Sequence, residues 1–210
     1  MNIAISQRID KIDEYDEFRD SIDQRMVDWI IESGFKPILV PNSLININKS
    51  LDKQKTLKNW IEDCNISGIV LSGGNNIGDM PKRDLTESFL LSWAEKNNIP
   101  VLGICRGMQM MGVYDNSSLK KVDGHTNTFH NLVFKENFEF PSKVNSYHDF
   151  SLSSCPESFK IIAHSEDGNI EAILHKDLSW EGWMWHPERD EEFSELNKER
   201  LKKVMGLKNK

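Results

Sequence analysis

The chain has 210 residues, a formal net charge of −7 and three cysteines without framework spacing. Its length predicts one domain, residues 1–210, with a full core under a multi-stranded sheet, and its acidic balance argues against a nucleic-acid-binding protein, which normally presents a basic face. No signal-peptide pattern and no apolar run of membrane-spanning length is evident, so we expect a cytoplasmic protein that contacts neither membranes nor nucleic acid.

Strand and helix patterns alternate in the first half of the chain. Short apolar runs predict strands at residues 3–6, 36–40, 68–72 and 101–104. Helical spacing of apolar residues predicts helices around residues 22–30, 57–64 and 84–97, the last with Leu85, Phe89 and Trp93 on one side. This alternation predicts an α/β fold with a mostly parallel central sheet and helices on both faces.

The pattern changes after residue 122, where short strand-like segments follow one another with turn signals between them. These predicted strands lie at residues 131–134, 143–147, 160–163, 170–174 and 182–185. They predict an antiparallel β extension of the same sheet. A closing amphipathic helix is predicted from Phe193, Leu196, Leu201 and Val204, and residues 208–210 are predicted to form a frayed tail.

Cys105 follows directly on the apolar run 101–104 and precedes a helix-compatible segment. In a parallel sheet, such a residue lies in a sharp turn at the carboxyl edge of the strand, and Gly103 and Gly107 would let strand and helix pack closely around it. The positive end of the helix dipole and unpaired backbone N–H groups favour a thiolate there. The pattern predicts a nucleophilic cysteine, and the alternative is a core cysteine at a strand end.

His186 and Glu188 flank Pro187 at the end of the β-rich region. The residue before a proline favours extended geometry, in which positions i and i+2 project to the same side. The Glu188 carboxylate could therefore orient His186 as the base that a cysteine nucleophile needs. Taken alone, the pattern also fits a solvated histidine near a surface glutamate.

These motifs resemble the class I glutamine amidotransferase family, in particular its γ-glutamyl hydrolase branch. The resemblance is carried by LGICRGMQ at residues 102–109 and WHPE at 185–188, and by LSGG at 71–74, VNSYH at 144–148 and DGNIEA at 167–172. It implies a flavodoxin-like core and a Cys105–His186–Glu188 triad that hydrolyses a γ-glutamyl amide through a thioester. It also implies an oxyanion hole formed by the backbone N–H groups of Arg106 and of Gly74 or its neighbour.

The same resemblance implies the substrate-binding residues, for which it points to Gly73, Gln109 and the segment Ser146, Tyr147 and His148. Gln109 lies one turn after Cys105, on the nucleophile's side of its helix. The segment YDNSS at 114–118 is shorter than is usual in the family, and Tyr147-His148-Asp149 replaces a usual His-His-Gln. Both departures lie where the leaving group would be recognised.

The amino-terminal segments ISQR at 5–8 and RDSID at 19–23, with Tyr15, resemble more narrowly the γ-glutamyl-CDP-amidate hydrolases of capsule phosphoramidate pathways. Arg8 and Arg19 are then candidates for binding an anionic leaving group, because guanidinium pairs bidentately with phosphate. A solvated surface role is the alternative for either arginine. A γ-glutamyl-γ-aminobutyrate hydrolase is the alternative for the substrate.

The remaining cysteines and histidines predict no second site. Cys64 falls on an apolar helix face, Cys155 has no helix behind it, and no cysteine or carboxylate spacing completes a metal site around His125 and His130. We therefore expect neither a metal nor a cofactor.

Two other functions remain open from the sequence. The chain could be a glutaminase subunit that delivers ammonia to a separate synthetase partner, or a non-catalytic stress protein with an oxidisable elbow cysteine. The His186-Pro187-Glu188 element argues against the second. A homodimer is a further possibility for its assembly.

Overall fold

The structure is a computed structural model that describes residues 1–45, 52–134 and 138–207, without side-chain detail at 52–55. The tail predicted at residues 208–210 lies outside this range. In the described part of the chain no helix combines the length and the apolar character that crossing a bilayer requires.

Thirteen strands are formed by the described residues. In chain order they are β1 (Asn2–Ser6), β2 (Arg8–Ile12), β3 (Glu17–Ser21), β4 (Lys36–Val40), β5 (Ile66–Leu71), β6 (Val101–Ile104), β7 (Leu119–Lys121), β8 (Thr126–Phe134), β9 (Lys143–Tyr147), β10 (Phe150–Leu152), β11 (Phe159–Ser165), β12 (Ile170–His175) and β13 (Trp180–Trp183).

Five α-helices accompany these strands within the same described segments. They are α1 (Gln24–Glu32), α2 (Asp52–Asp63), α3 (Pro81–Asn97), α4 (Arg106–Tyr114) and α5 (Glu195–Val204). Local signals set several of their ends. The Asp23 carboxylate caps α1 by accepting from the Arg25 N–H at 3.1 Å. Pro81 begins α3, and Asn98 ends it in the left-handed conformation at φ 52°.

Nine strands form the central sheet in the order β4-β1-β5-β6-β13-β12-β11-β8-β9. The strands from β4 to β13 pair in parallel, and those from β13 to β9 pair antiparallel. The predicted α/β fold, with a mostly parallel sheet and an antiparallel extension, is therefore confirmed. One assignment was wrong, since β13 was expected in the extension but lies beside β6 and runs parallel to it.

Two buried clusters cover the two faces of the sheet. Met26, Trp29 and Ile30 of α1 pack with Leu201 and Val204 of α5 in one cluster. The other cluster contains apolar side chains from α2, α3 and α4. Helices therefore lie on both faces, as predicted, and the carboxyl ends of the parallel strands are left free to form a site.

The side of α3 that faces the core differs from the predicted one. Leu85 is 43% exposed, whereas Leu90, Leu91 and Ala94 are fully buried. The same helix also buries the charged residues Arg83 and Glu87. A search for apolar residues at helical spacing therefore does not identify the buried side.

An amino-terminal hairpin, β2–β3, was not predicted. Its strands are mostly polar and exposed, so that they lack the alternation of apolar and polar residues by which a half-buried strand is recognised. The hairpin pairs Arg8 with Ser21 and Asp10 with Arg19, and it follows β1 at the carboxyl edge of the sheet.

Candidate active site

Cys105 occupies the turn between β6 and α4. Its backbone has φ 51° and ψ −107°, a conformation that L-residues rarely adopt and that tertiary contacts must hold. The Cys105 N–H donates to the Trp183 carbonyl at 2.7 Å, and the Cys105 carbonyl accepts from the Gln109 N–H at 3.1 Å. These bonds fix the cysteine between β13 and the first turn of α4.

The two glycines around this turn are required by close packing. A Cβ atom on Gly103 would lie 2.6 Å from the carbonyl carbon of Gly107, and one on Gly107 would lie 2.1 Å from the Leu71 carbonyl oxygen. Only a residue without a side chain fits at either position. The strand and helix therefore meet at Cys105 as closely as the sequence pattern predicts.

His186 lies at the end of the connection after β13, next to Glu188. Its Nδ1 is 2.7 Å from the Glu188 Oε1, and the two residues are only 2% and 3% exposed. We expected an extended segment here, but Pro187–Arg189 form a 3₁₀ turn. The predicted contact forms within that turn, because the turn also brings the two side chains to the same side.

The protonation of His186 depends on two acidic neighbours. Burial lowers the pKa of His186, but the charges of Glu188 and Cys105, and hydrogen bonds to both groups, raise it to about 10. The negative charges that favour the cationic ring therefore come from Glu188 on one side and from Cys105. The structure joins His186 to Glu188 directly, and the raised pKa favours the cationic ring at neutral pH.

Asn145 is a further residue of this site, and no role for it was predicted from the sequence. Its side chain donates to the His186 carbonyl at 2.8 Å and accepts from the His186 N–H at 2.9 Å. The backbone of His186 is thus clamped to β9. In the sequence, the position of Asn145 within the VNSYH motif was the one feature that could have indicated a role for it.

Tyr147 and Arg189 line the approach to the His186 ring. The Tyr147 and His186 ring centroids are 5.8 Å apart in an edge-to-face arrangement. The Arg189 guanidinium carbon lies 4.6 Å from the centroid of the Tyr147 ring. Tyr147 thus lies beside His186, and its predicted role in substrate binding stays a prediction; no role for Arg189 was predicted.

The loop after β5, which contains Gly73 and Gly74, is held by a buried charge network. Arg83 donates to the carbonyl oxygens of Ser72 and Gly73 at 2.7 and 2.9 Å and to the Glu87 carboxylate at 3.0 Å. Glu87 also binds the Arg106 guanidinium. This network was not predicted, although it joins the two segments proposed to supply oxyanion donors.

Three of the predicted substrate-binding residues have other hydrogen-bond partners. Gln109 Nε2 donates to the Phe150 carbonyl at 2.8 Å, and the Ser146 hydroxyl donates to the His125 carbonyl at 2.6 Å. The His148 ring is buried against His125. The side chains of Ser146 and His148 therefore brace the neighbouring backbone.

The two predicted anion-binding arginines occupy different positions. Arg8 lines the cleft that contains Gly73, Gly74 and His186. Arg19 lies on β3, where it binds Glu17 at 2.8 Å, and its side chain is 52% exposed. Cross-strand pairing puts both arginines on the same face of the hairpin, with Arg19 two residue pairs further out.

A second buried polar cluster lies at the antiparallel side of the sheet. His125, His148 and Glu171 each direct one potential ligand atom to a common point, with these atoms within 4.8 Å of one another. The sequence around His125 has no carboxylate at the spacing of metal ligands. In the folded protein, Glu171 of β12 provides one. This cluster could hold a metal ion, contrary to the expectation of none.

Comparison with known proteins assigns the family. The profile of the class I glutamine amidotransferases matches residues 12–200. The chain belongs to this family. A γ-glutamyl-CDP-amidate hydrolase of Campylobacter jejuni is 34% identical over 131 residues, which cover 60% of this chain and 64% of that protein.

Other relatives of this amidotransferase-family chain come from GMP synthases. A glutamine-hydrolysing GMP synthase subunit of Methanococcus maripaludis is 32% identical over 164 residues, 75% of this chain and 80% of the relative. A solved structure from Thermoplasma acidophilum, described as a GMP synthase subunit, covers 99% of this chain and 93% of its own, with a TM-score of 0.71 at 20% identity. That similarity supports the fold.

Proposed function

We propose that the protein is a cysteine-dependent hydrolase of the γ-glutamyl amide bond in a small γ-glutamyl conjugate, specifically γ-glutamyl-CDP-amidate. The observation that carries this proposal is the buried 2.7 Å contact between His186 and Glu188, together with the strained turn that holds Cys105, whose charge acts on the His186 ring. Family membership and the hydrolase relative support amide hydrolysis more generally.

In the first step, the Cys105 thiolate attacks the δ-carbonyl of the γ-glutamyl group. His186 is cationic at neutral pH, so it can donate its proton to the departing nitrogen as the C–N bond breaks. The products are a free amine or amidate and a γ-glutamyl thioester on Cys105.

The charge that develops on the substrate oxygen needs hydrogen-bond donors. Arg106 is the first residue of α4, so its backbone N–H has no partner within the helix. Gly74, at φ 117°, directly follows Gly73, whose carbonyl accepts from Arg83, and Arg83 and Arg106 both bind Glu87. We assign the oxyanion hole to these two N–H groups. Loss of such a donor typically costs about 3–4 kcal/mol of transition-state stabilisation.

In the second step, water hydrolyses the thioester. The His186 ring, neutral after its proton transfer, removes a proton from water, and the resulting hydroxide attacks the thioester carbonyl. Glutamate leaves, and Cys105 regains the thiolate paired with protonated His186. Glu188 remains an anion that orients the ring throughout.

The leaving group of the proposed substrate is recognised by its charge. A nucleotide amidate carries several negative charges, and the protein's net charge is itself −7. Local cations must therefore attract it, and Arg8 and Arg189 both line the cleft beside His186. Among the described residues, Arg8 pairs with the partly exposed Asp10 on its own strand, so a phosphate could replace that carboxylate.

A glutaminase that passes ammonia to a synthetase is the second candidate function. The relatives among the GMP synthase subunits favour it. It requires a partner protein and glutamine as the substrate. The two functions therefore differ in which conjugate the isolated chain hydrolyses.

The test is kcat/KM of the isolated protein for γ-glutamyl-CDP-amidate, γ-glutamyl-γ-aminobutyrate and glutamine. We expect the nucleotide conjugate to be cleaved fastest. Arg8→Ala should raise its KM about 10- to 100-fold, because a hydrogen bond between charged groups is lost, and glutamine turnover should change little. Arg19→Ala should have a smaller effect, since Arg19 lies further out.

Lys11→Ala is the matched control, because Lys11 lies on the same hairpin but alternates to its other face. Equal values for the nucleotide and γ-aminobutyrate conjugates would refute the nucleotide assignment. Slow hydrolysis of all three that rises only when a synthetase is added would favour the glutaminase function.

A further inference from the structure

His125, His148 and Glu171 meet in a buried space between the antiparallel strands. His125 precedes β8, His148 follows β9 and Glu171 lies on β12. The two histidines are each 4% exposed, and Glu171 is fully buried. Three separate segments thus place polar groups together away from solvent, where polar groups without partners are costly.

The distances between the three inward atoms form a small triangle. His125 Nδ1 is 3.3 Å from His148 Nε2. The Glu171 Oε1 lies 3.6 Å from the first of these nitrogens and 3.5 Å from the second. A tetrahedral zinc ion with ordinary Zn–N and Zn–O distances separates its ligand atoms by about 3.3–3.5 Å. The triangle therefore has the size of a zinc coordination face.

The hydrogen bonds of the two ring nitrogens that point away from the cluster, the outer nitrogens, determine whether the inner nitrogens carry a proton or a lone pair. His148 Nδ1 lies 3.0 Å from the Phe150 carbonyl, which can only accept a hydrogen bond. His125 Nε2 lies 2.9 Å from the Asp167 carboxylate. In the neutral rings both protons are therefore on the outer nitrogens, and both inner nitrogens present lone pairs. This carboxylate–histidine arrangement is typical of metal-binding imidazoles.

Glu171 adds a negative charge at the same point. Neither of its oxygens accepts a hydrogen bond from the described residues. Its Oε2 lies 3.2 Å from His130 Nε2, at ion-pair distance without hydrogen-bond geometry. Two lone pairs and a carboxylate that face one another in a buried space are stabilised by a cation between them.

We propose that His125, His148 and Glu171 bind a divalent zinc-type metal ion, with His130 beside the second carboxylate oxygen and Asp167 orienting His125. Two imidazoles and one carboxylate are a ligand set that zinc favours. The site is separate from Cys105 and does not depend on the proposed hydrolase function.

The hydrogen bonds around this metal site connect it to the active-site backbone. The Phe150 carbonyl accepts from both His148 Nδ1 and Gln109 Nε2, and the His125 carbonyl accepts from the Ser146 hydroxyl. The ion would thus fix the segment that carries Tyr147 beside His186. Its role is structural support, and it takes no part in bond cleavage.

The experiment measures Zn²⁺ binding to the full chain. The protein is stripped with a chelator, and zinc content and affinity are measured by elemental analysis and competition with a chromogenic chelator. We expect one tightly bound Zn²⁺ per chain. Glu171→Gln should weaken binding more than 100-fold. Asp167→Asn should weaken it about 10- to 100-fold, as loss of an outer partner does.

Asp167→Asn protects the test against misfolding, because the Asp167 side chain is 53% exposed. His164→Gln is the control for loss of a histidine outside the cluster, and it should leave affinity unchanged. Co²⁺ in place of Zn²⁺ should give visible bands of a four-coordinate ion, in Cys105→Ala as in wild type. No stoichiometric Zn²⁺, unchanged affinity in Asp167→Asn and Glu171→Gln, or loss of the ion in Cys105→Ala would each overturn the proposal.

Discussion

Gly73 lies so close to His186 that a Cβ atom on the glycine would be 2.6 Å from Cε1 of the imidazole ring. Real Cβ atoms do not approach a ring carbon this closely, so the ring position depends on the absence of a side chain at residue 73. The loop after β5 and the connection after β13 are therefore packed against each other at the candidate catalytic ring.

Gly73→Ala should impair catalysis more than folding. The added methyl group must displace the His186 ring, and a misplacement of about 1 Å can cost about 100-fold in rate. We expect kcat/KM to fall at least about 100-fold. Gly78→Ala is the control for strain on the same loop, because φ there is +99° and a Cβ meets no atom within 4 Å, so it should lower stability without lowering kcat/KM. A Gly73→Ala enzyme with wild-type kcat/KM would contradict the proposed role of the ring position.

His186→Ala and Glu188→Gln should have unequal effects. Both proton transfers pass through His186, so its removal should lower kcat by several orders of magnitude. Glu188→Gln keeps a side chain beside Nδ1 and loses the charge, so the decrease should be smaller. The measurement is steady-state hydrolysis of a γ-glutamyl conjugate. An active His186→Ala enzyme would place the base elsewhere.

The charge of His186 should persist well above neutral pH. Its pKa is raised to about 10, with Glu188 as the largest favourable contribution. NMR spectra of histidine-labelled protein should show the His186 ring titrating near pH 10, and Glu188→Gln should lower that midpoint. A midpoint near the ordinary value of 6.5 in the wild type would refute the assignment.

The same shift in pKa predicts a trend in stability. The folded-state pKa of His186 is raised above its unfolded value, so this ionisation stabilises the folded state fully below about pH 6.5. The contribution is lost as the pH rises through about 10. We expect the free energy of unfolding to decrease over this range, less steeply in Glu188→Gln than in wild type, by urea titration. An identical slope in both proteins would contradict the linkage.

Glu87→Gln should destabilise the fold markedly. Glu87 is fully buried between Arg83 and Arg106 and accepts from the Ser6 hydroxyl at 2.8 Å. Removal of one partner from a buried ion pair typically costs about 3–5 kcal/mol. Urea unfolding should show this loss. Glu62→Gln breaks the exposed pair with Lys58 and should change stability little. Similar effects of both substitutions would argue against the network.

Local patterns predicted the parts of the fold that depend on neighbouring residues. Short apolar runs and turn residues predict the strand before Cys105 and the alternation of strands and helices. The glycines that flank Cys105 predict the sharp turn there. The contact between His186 and Glu188 was predicted for the same reason, since the two lie only two positions apart. The turn that forms it differs from the extended segment that was expected.

Features that depend on distant contacts could not be predicted. The direction of β13 is set by its pairing with β6, and the burial of Glu87 by arginines on two helices. The three residues of the metal-type cluster come from segments that only the folded sheet brings together. Arg189 was missed because its position relative to Tyr147 follows from the turn after His186.

The central claim is that Cys105 forms a covalent bond to the γ-glutamyl group. The direct measurement is peptide mass spectrometry of the protein after treatment with the diazoketone analogue of glutamine, which alkylates a nucleophile that attacks the δ-carbonyl position. We predict one adduct, on the peptide that contains Cys105, in the wild type and in the Cys64→Ala and Cys155→Ala variants. An adduct on another residue, or a Cys105→Ala variant that still hydrolyses the conjugate at the wild-type rate, would contradict the account.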